Sequence, residues 1–157
     1  MGRPESDHIP VIASPRIAGK LTVLSLSPLD DDHLSVQAII GHSTWVHLPC
    51  YELVSAVNFL QKYEVAVILC AEHLKDGTWV DVLDHISSLP DPPSLIVISK
   101  AANEHLWAEA LNLGAWDVLA KPLDRREVIR SVKSGWQHRY DRTHRRAPLV
   151  KVMKAAG

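Results

Sequence analysis

Two uninterrupted apolar runs constrain the fold of this chain more than any other feature. They extend from Val65 to Cys70 (VAVILC) and from Ser94 to Ser99 (SLIVIS). A strand that is buried on one face alternates apolar and polar residues, whereas a strand covered on both faces is apolar throughout. The two runs therefore predict central strands of a parallel sheet with helices on both faces.

Helical patterns alternate with strand candidates along the chain. Three more strands are expected at Leu21–Ser27, Trp45–Leu48 and Trp116–Ala120. Strands that are separated by helices must run parallel, with right-handed crossovers. We therefore expect a three-layer α/β fold of the flavodoxin-like (βα)5 type, with a five-stranded parallel sheet in the order 2-1-3-4-5. Apolar residues recur at helical spacing in Asp30–Ile40, Tyr51–Lys62, Thr78–Ser88, Asn103–Leu113 and Asp124–Tyr140.

The 157 residues suit one domain between two segments of different character. Residues 1–20 hold three prolines and two glycines without an apolar period, which predicts a flexible N-terminal arm. Residues 21–140 carry the alternating pattern, and residues 141–157 form a basic C-terminal tail. No apolar run reaches the ~20 residues of a membrane helix, and the start of the chain lacks the apolar stretch of a secretory signal. These features predict a cytoplasmic protein.

Motifs after the predicted strands resemble those of the response regulator receiver family. The turn Leu74-Lys75-Asp76-Gly77 follows strand 3, Ser99 ends strand 4, and Gly114 to Pro122 (GAWDVLAKP) spans strand 5. The last run is similar to the family's Gly-Ala-x-Asp-aromatic-Leu-x-Lys-Pro signature. The resemblance covers about residues 21–140 and implies a non-enzymatic signalling protein of the bacterial two-component (phosphorelay) type. It also implies a cis peptide before Pro122.

The resemblance is incomplete at the phosphorylation site. In the family, a carboxylate at the end of strand 3 accepts a phosphoryl group, and two acids after strand 1 hold Mg²⁺. Here Ala71, three residues before Leu74, stands at the acceptor position, and Ser27 and Pro28 replace the acidic pair. We therefore expect a stand-alone pseudo-receiver without a cofactor, which is not phosphorylated and acts by protein–protein interaction. The phosphoryl-site residues that remain are Ser99, Lys121 and Pro122.

Another interpretation of the site stays open. A register shift of one residue would place Glu72 at the acceptor position, where it would be phosphorylated with Mg²⁺ or would mimic the phosphorylated state by pairing with Lys121. Asp30 and Asp31 are then the acidic substitutes after strand 1. A purely structural interpretation pairs Lys121 with Glu72 or Asp30 and bonds the Ser99 hydroxyl to its own backbone.

Partner binding is expected at the face formed by helix 4, strand 5 and helix 5, which is the usual partner face of receivers. Trp107 and Trp116 are the candidate anchors there, because tryptophan is enriched at interface hot spots. Either a homodimer or a protein partner fits this face, and no membrane contact is expected. Nucleic-acid binding through the basic tail is a second alternative, disfavoured by the lack of interleaved aromatic residues. The expected rim is Arg125, Arg126 and Arg130.

Overall fold

The computed structural model describes residues 21–156 of the chain, and the side chains of residues 21–144. The arm predicted at residues 1–20 lies outside the described residues. None of the helices in the described part is long and apolar enough to cross a bilayer.

Five parallel strands form the central sheet in the order β2-β1-β3-β4-β5, which confirms the predicted fold class. The two continuous apolar runs supply β3 and β4, and every residue of both strands is buried. They pair with each other, Leu69 opposite Ile96. The strands are β1 (Thr22–Leu26), β2 (Val46–Cys50), β3 (Val67–Ala71), β4 (Ser94–Ser99) and β5 (Asp117–Ala120).

Strand β2 is longer than the sequence indicated, because Pro49 lies inside it rather than ending it. Pro49 lies opposite Ser25 on β1, and β2 is an edge strand with one neighbour. Proline is tolerated at an edge because the amide hydrogen that it lacks is not needed on the open side. The ladder therefore continues to Cys50, whose carbonyl accepts from the Ser27 amide at 3.0 Å.

Five helices cover the sheet, and local capping signals fix several of their ends. The Thr78 hydroxyl and the Asp81 carboxylate form a capping box at the start of α3. Asn103 caps the start of α4 through the Leu106 amide, and Gly114 ends it in the left-handed conformation that glycine adopts without strain. The helices are α1 (Asp30–Ile40), α2 (Leu53–Lys62), α3 (Trp79–Ser87), α4 (Glu104–Leu113) and α5 (Arg125–Ala156).

The segment between β3 and α3 folds as a short antiparallel hairpin of His73–Leu74 and Gly77–Thr78. Its Asp76 carboxylate accepts hydrogen bonds from the amides of Leu53 and Val54, at 2.8 Å and 3.1 Å. These are among the amides that the first turn of a helix leaves without an internal partner. The hairpin thus caps α2, whose own N-cap residue makes no side-chain bond.

Helix α5 continues well past Tyr140, where the sequence indicated that it ends. Polar side chains on the last predicted turn and on the turn added after it bind the loop between α3 and β4. Arg139 and Arg142 form ion pairs with Asp91 at 3.2 Å and 3.6 Å, and Thr143 donates to the same carboxylate at 3.0 Å. Arg142 also donates to the Pro92 carbonyl at 2.9 Å. These contacts hold the helix against the domain through residue 143. Because they are made by polar side chains, the apolar periodicity of the sequence could not predict them.

Candidate functional site

The carboxyl ends of β1, β3, β4 and β5 meet at one edge of the sheet, where open α/β proteins place their functional crevice. The structure brings four of the discussed residues to this edge: Ser27, Ala71, Ser99 and Lys121. Of these four residues, Lys121 lines a cavity of about 470 Å³, together with Asp32, Lys100 and Pro122 among others. The peptide between Lys121 and Pro122 is cis, as the motif implied.

Lys121 forms a bidentate ion pair with Asp32. Its Nζ atom lies 3.0 Å from Oδ1 and 3.0 Å from Oδ2. The side chains are only 14% and 6% exposed, so the pair is almost removed from solvent. The Ser27 hydroxyl donates to Asp32 Oδ2 at 2.5 Å. The partner proposed from sequence was Glu72 or Asp30, and both assignments are wrong.

Asp32 reaches the lysine because it faces inward from the first turn of α1. Asp30 and Asp31 are exposed, and Asp30 accepts a hydrogen bond from the Tyr51 hydroxyl at 2.6 Å. The signal for Asp32 was present in the sequence. Asp32 precedes Val36 by four residues and Ile39 by seven, which puts it in the buried stripe of the helix.

Ser99 contacts a different acid. Its hydroxyl donates to Glu72 Oε1 at 2.7 Å and accepts from the Ala101 amide at 2.9 Å. The Ser99 hydroxyl therefore makes the expected hydrogen bond to the backbone, and it also has an acidic partner, Glu72. Glu72 itself is 27% exposed, and its other oxygen lies 3.9 Å from the His73 ring. Glu72 thus pairs with the hydroxyl that ends β4, and the ion pair of Lys121 is made with Asp32 instead.

Comparisons with known proteins agree with the fold. The family model of the response regulator receiver domain matches residues 30–133. The chain belongs to the response regulator receiver domain family. Comparison of the sequence with curated proteins found no significant match.

Solved receiver structures share the fold at low sequence identity. The signal receiver domain of a putative LuxO repressor protein from Vibrio parahaemolyticus matches with a TM-score of 0.72 and 20% identity, over 77% of this chain and 93% of that one. The signal receiver domain of an HD domain-containing protein from Pseudomonas fluorescens Pf-5 gives 0.70 and 19%, over 78% and 98%. The beryllofluoride-activated NtrC4 receiver domain dimer gives 0.69 and 22%, over 75% and 98%.

The acid set of this receiver does not fit the magnesium ion that the family implies. Mg²⁺ requires hard oxygen ligands in near-octahedral geometry. The buried side chain at the end of β3 is the methyl group of Ala71, and the Asp32 carboxylate is already engaged by Lys121 and Ser27. Within the described part of the chain, no three His, Cys, Asp or Glu side chains are grouped to hold a metal ion.

The face formed by α4, β5 and α5 contains a shallow groove of about 350 Å³. Trp107 lines it and is 51% exposed. Arg130 and Glu127 line it from α5, and Val118 lines it from β5. The groove thus combines an accessible indole with charges of both signs.

The other residues proposed for this face have different surroundings. The Trp116 indole packs on α5, donates to the Ser134 hydroxyl at 2.9 Å and stacks on His138 with ring centroids 4.6 Å apart. Arg125 donates to the Ile39 carbonyl on α1 at 3.3 Å. Arg126 is exposed. Trp116 and Arg125 therefore belong to contacts within the receiver and do not line the groove.

Sequence reasoning missed a polar cluster beneath β1, on the side of the sheet covered by α1. Ser25 Oγ lies 2.7 Å from His33 Nδ1 and 2.7 Å from His47 Nε2. His33 Nε2 lies 2.9 Å from the Ser27 carbonyl oxygen, and His47 Nδ1 lies 2.7 Å from Gln37 Oε1. The only sequence signal was that Ser25 and His33 occupy positions expected to be apolar.

Proposed function

We propose that this receiver acts as a signalling module by protein–protein contact, independently of phosphorylation. The observation that supports the proposal most is the buried ion pair of Lys121 and Asp32 beside an alanine at the end of β3. The lysine that would neutralise a phosphoryl group is already neutralised by a carboxylate of the same chain.

The chemistry of phosphoryl transfer supports the same proposal. A nucleophile must attack the donor, and the methyl group of Ala71 has no lone pair to do so. An incoming phosphoryl group would also have to displace Asp32 from Lys121. This would leave a carboxylate with 6% exposure without its counter-charge, which is costly in a poorly solvated environment.

The Glu72 carboxylate gives the Ser99 hydroxyl an anionic hydrogen-bond partner, as the phosphoryl group does in phosphorylated receivers. The Ser99 hydroxyl already donates to a carboxylate at 2.7 Å and is held from the other side by the Ala101 amide. A hydroxyl with both bonds made has little freedom to respond to a new ligand. This supports a permanent state of the crevice rather than a switched one.

The groove at Trp107 is the proposed output surface. An exposed indole beside an arginine is the composition that protein interfaces favour, and the groove lies on the α4–β5–α5 face. The occupant that we propose is a protein, either a second copy of this chain or another partner, in the cytoplasm. The NtrC4 relative is described as a receiver domain dimer, which makes the second copy the first partner to test.

A receiver phosphorylated on Glu72 is the second candidate. Glu72 directly follows Ala71, and its carboxylate is partly accessible. The hydrogen bond that the Glu72 carboxylate accepts from Ser99 argues against phosphorylation of Glu72. Binding of nucleic acid by the tail beyond residue 144 concerns side chains outside the described residues and stays a prediction.

Intact-mass measurement after incubation with acetyl phosphate and Mg²⁺ tests the proposal. We expect no added mass in the wild type, whereas a phosphorylatable receiver run in parallel gains one phosphoryl group. A gain that disappears in Glu72→Gln and persists in Glu52→Gln would overturn the proposal in favour of the second candidate.

A further inference from the structure

Hydrogen bonds connect the surface of edge strand β2 with the floor of the crevice. The connection runs from His47 through Ser25 to His33, and from His33 to the Ser27 carbonyl. Ser25 and His33 are buried, whereas His47 is partly exposed. The outer end can therefore exchange a proton with solvent while the inner end contacts the residue that holds Asp32.

The acceptor at the inner end fixes the order of donors along the relay. A carbonyl oxygen only accepts, so His33 Nε2 carries a hydrogen and donates to Ser27. The Nδ1 atom of neutral His33 then accepts, and the hydrogen that it receives comes from the Ser25 hydroxyl. Ser25 Oγ in turn accepts from Nε2–H of His47.

The remaining nitrogen of His47 distinguishes the two protonation states. In neutral His47, Nδ1 is an acceptor, and the Gln37 side chain must turn its amide NH₂ group toward it. In protonated His47, Nδ1–H donates to the Gln37 oxygen, and the side-chain amide 2.7 Å away can present either its oxygen or its NH₂ group. Uptake of one proton therefore changes both the charge beside β1 and the orientation of Gln37.

The groups around His47 favour its neutral form at neutral pH. Partial burial is the main cause that lowers the pKa of His47, and a positive charge on the nearby His33 lowers it further. Ser25 faces His47 from β1, and His33 and Gln37 face it from α1. Beyond His33 lies the Tyr51 ring, with centroids 4.4 Å apart, and its hydroxyl donates to Asp30 at 2.6 Å.

We propose that Ser25, His33 and His47 form a pH-sensing relay, in which the positive charge taken up at His47 polarises the hydrogen bonds through Ser25 and His33 to Ser27. The same residue, Ser27, accepts from His33 through its carbonyl and donates to Asp32 through its hydroxyl. The relay gives this receiver an input that requires no phosphoryl group. It does not depend on whether the domain can be phosphorylated.

Nitrogen-15 NMR of the histidine rings, with a pH titration of the backbone amides, tests the relay. We expect His47 to titrate below 6.5, the ordinary value for histidine. The amides of Ser27 and Leu29 should shift with the same midpoint, because the Leu29 amide donates to the Ser27 hydroxyl. His42→Gln, which removes an exposed histidine, should leave this titration unchanged.

Two variants separate the relay from a simple surface histidine. His47→Gln should abolish the Ser27 shift. In Ser25→Ala, His47 should still titrate, but the Ser27 amide should no longer shift with it. A Ser27 shift that persists in Ser25→Ala, or its absence in a wild type whose His47 does titrate, overturns the proposal. The phosphorylation experiment is carried out at one pH, so its result is independent of these titrations, and the two proposals can fail separately.

Discussion

The Nζ atom of Lys121 lies 3.0 Å from both carboxylate oxygens of Asp32, although 89 positions separate the two residues. The pair joins the end of β5 to the first turn of α1, where a carboxylate is also favoured by the positive end of the helix dipole. The pair lies at the edge of the sheet where the strands have their carboxyl ends. Its contribution to folding can be measured directly.

Replacing Asp32 with asparagine should destabilise the domain strongly. Asp32→Asn keeps the shape of the side chain but leaves the Lys121 ammonium, 14% exposed, without a counter-charge. Removing one partner of a buried ion pair costs about 3 kcal/mol or more. Urea unfolding should show this loss, whereas Asp31→Asn at an exposed position should change the free energy of unfolding by less than about 0.5 kcal/mol.

A double variant checks the reason for the loss. Asp32→Asn combined with Lys121→Met removes both charges, and replacement of a buried pair by uncharged groups of similar size is often near neutral. The double variant should therefore recover most of the stability. If Asp32→Asn alone has the same urea midpoint of unfolding as the wild type, the ion pair does not contribute significantly to the stability of the fold.

The fold could be predicted from the sequence, but the site could be predicted only in part. Continuous apolar runs identify β3 and β4 without tertiary information, because only strands covered on both faces are composed in that way. Asp32 was missed because the three aspartates were assigned together to the acidic first turn of α1, although the spacing of Asp32 to Val36 and Ile39 puts it on the buried side. The continuation of α5 past Tyr140 was missed because Arg142 and Thr143 bind Asp91, about fifty residues away in the sequence, by contacts that carry no local period.

The Asp76 cap predicts a local, pH-dependent contribution to stability. Asp76→Ala should lower the free energy of unfolding by about 1 kcal/mol, as loss of a helix cap does. The Leu53 amide is the main cause of the lowered pKa of Asp76, and the Val54 amide adds to it. Since the pKa is lower in the folded state than its ordinary 3.8, this contribution is complete above about pH 4 and is lost as the pH falls through the folded value.

Chemical unfolding at two pH values measures the Asp76 effect. The difference between wild type and Asp76→Ala should be full near neutrality and smaller near pH 3. Asp84→Ala, at an exposed position of α3, is the matched control and should show no comparable difference at either pH. Equal differences at both pH values would mean that the carboxylate charge plays no part in the cap.

Both cysteines should be unreactive in the folded protein. Cys50 and Cys70 are free and buried, and burial raises the pKa of Cys50 to about 12 and raises that of Cys70 as well. They lie on opposite sides of Leu26 in the sheet, roughly 10 Å apart at the usual strand spacing, which is too far for a disulfide. Titration with a thiol reagent at pH 8 should count no fast-reacting thiol in native protein and two after unfolding.

Two tryptophans on neighbouring elements should respond in opposite ways to truncation. Trp107 is 51% exposed in the groove, whereas Trp116 packs against Ser134 and His138 on α5. Trp107→Ala should leave the free energy of unfolding nearly unchanged and weaken association by about 2 kcal/mol, roughly thirtyfold in affinity. Trp116→Ala should instead destabilise the monomer by about 3 kcal/mol, because it leaves a cavity beneath α5.

Sedimentation velocity over a concentration series, with urea unfolding of the same samples, distinguishes these outcomes. If the wild type self-associates and Trp107→Ala does not, the groove is the interface between two copies. If both stay monomeric at high micromolar concentration, the second copy is excluded as the partner, and a different protein is the occupant left to test. Glu109→Ala, an exposed residue of α4 that does not line the groove, is the matched control and should associate as the wild type does. Association that survives Trp107→Ala but is lost in Glu109→Ala would move the interface away from the groove altogether.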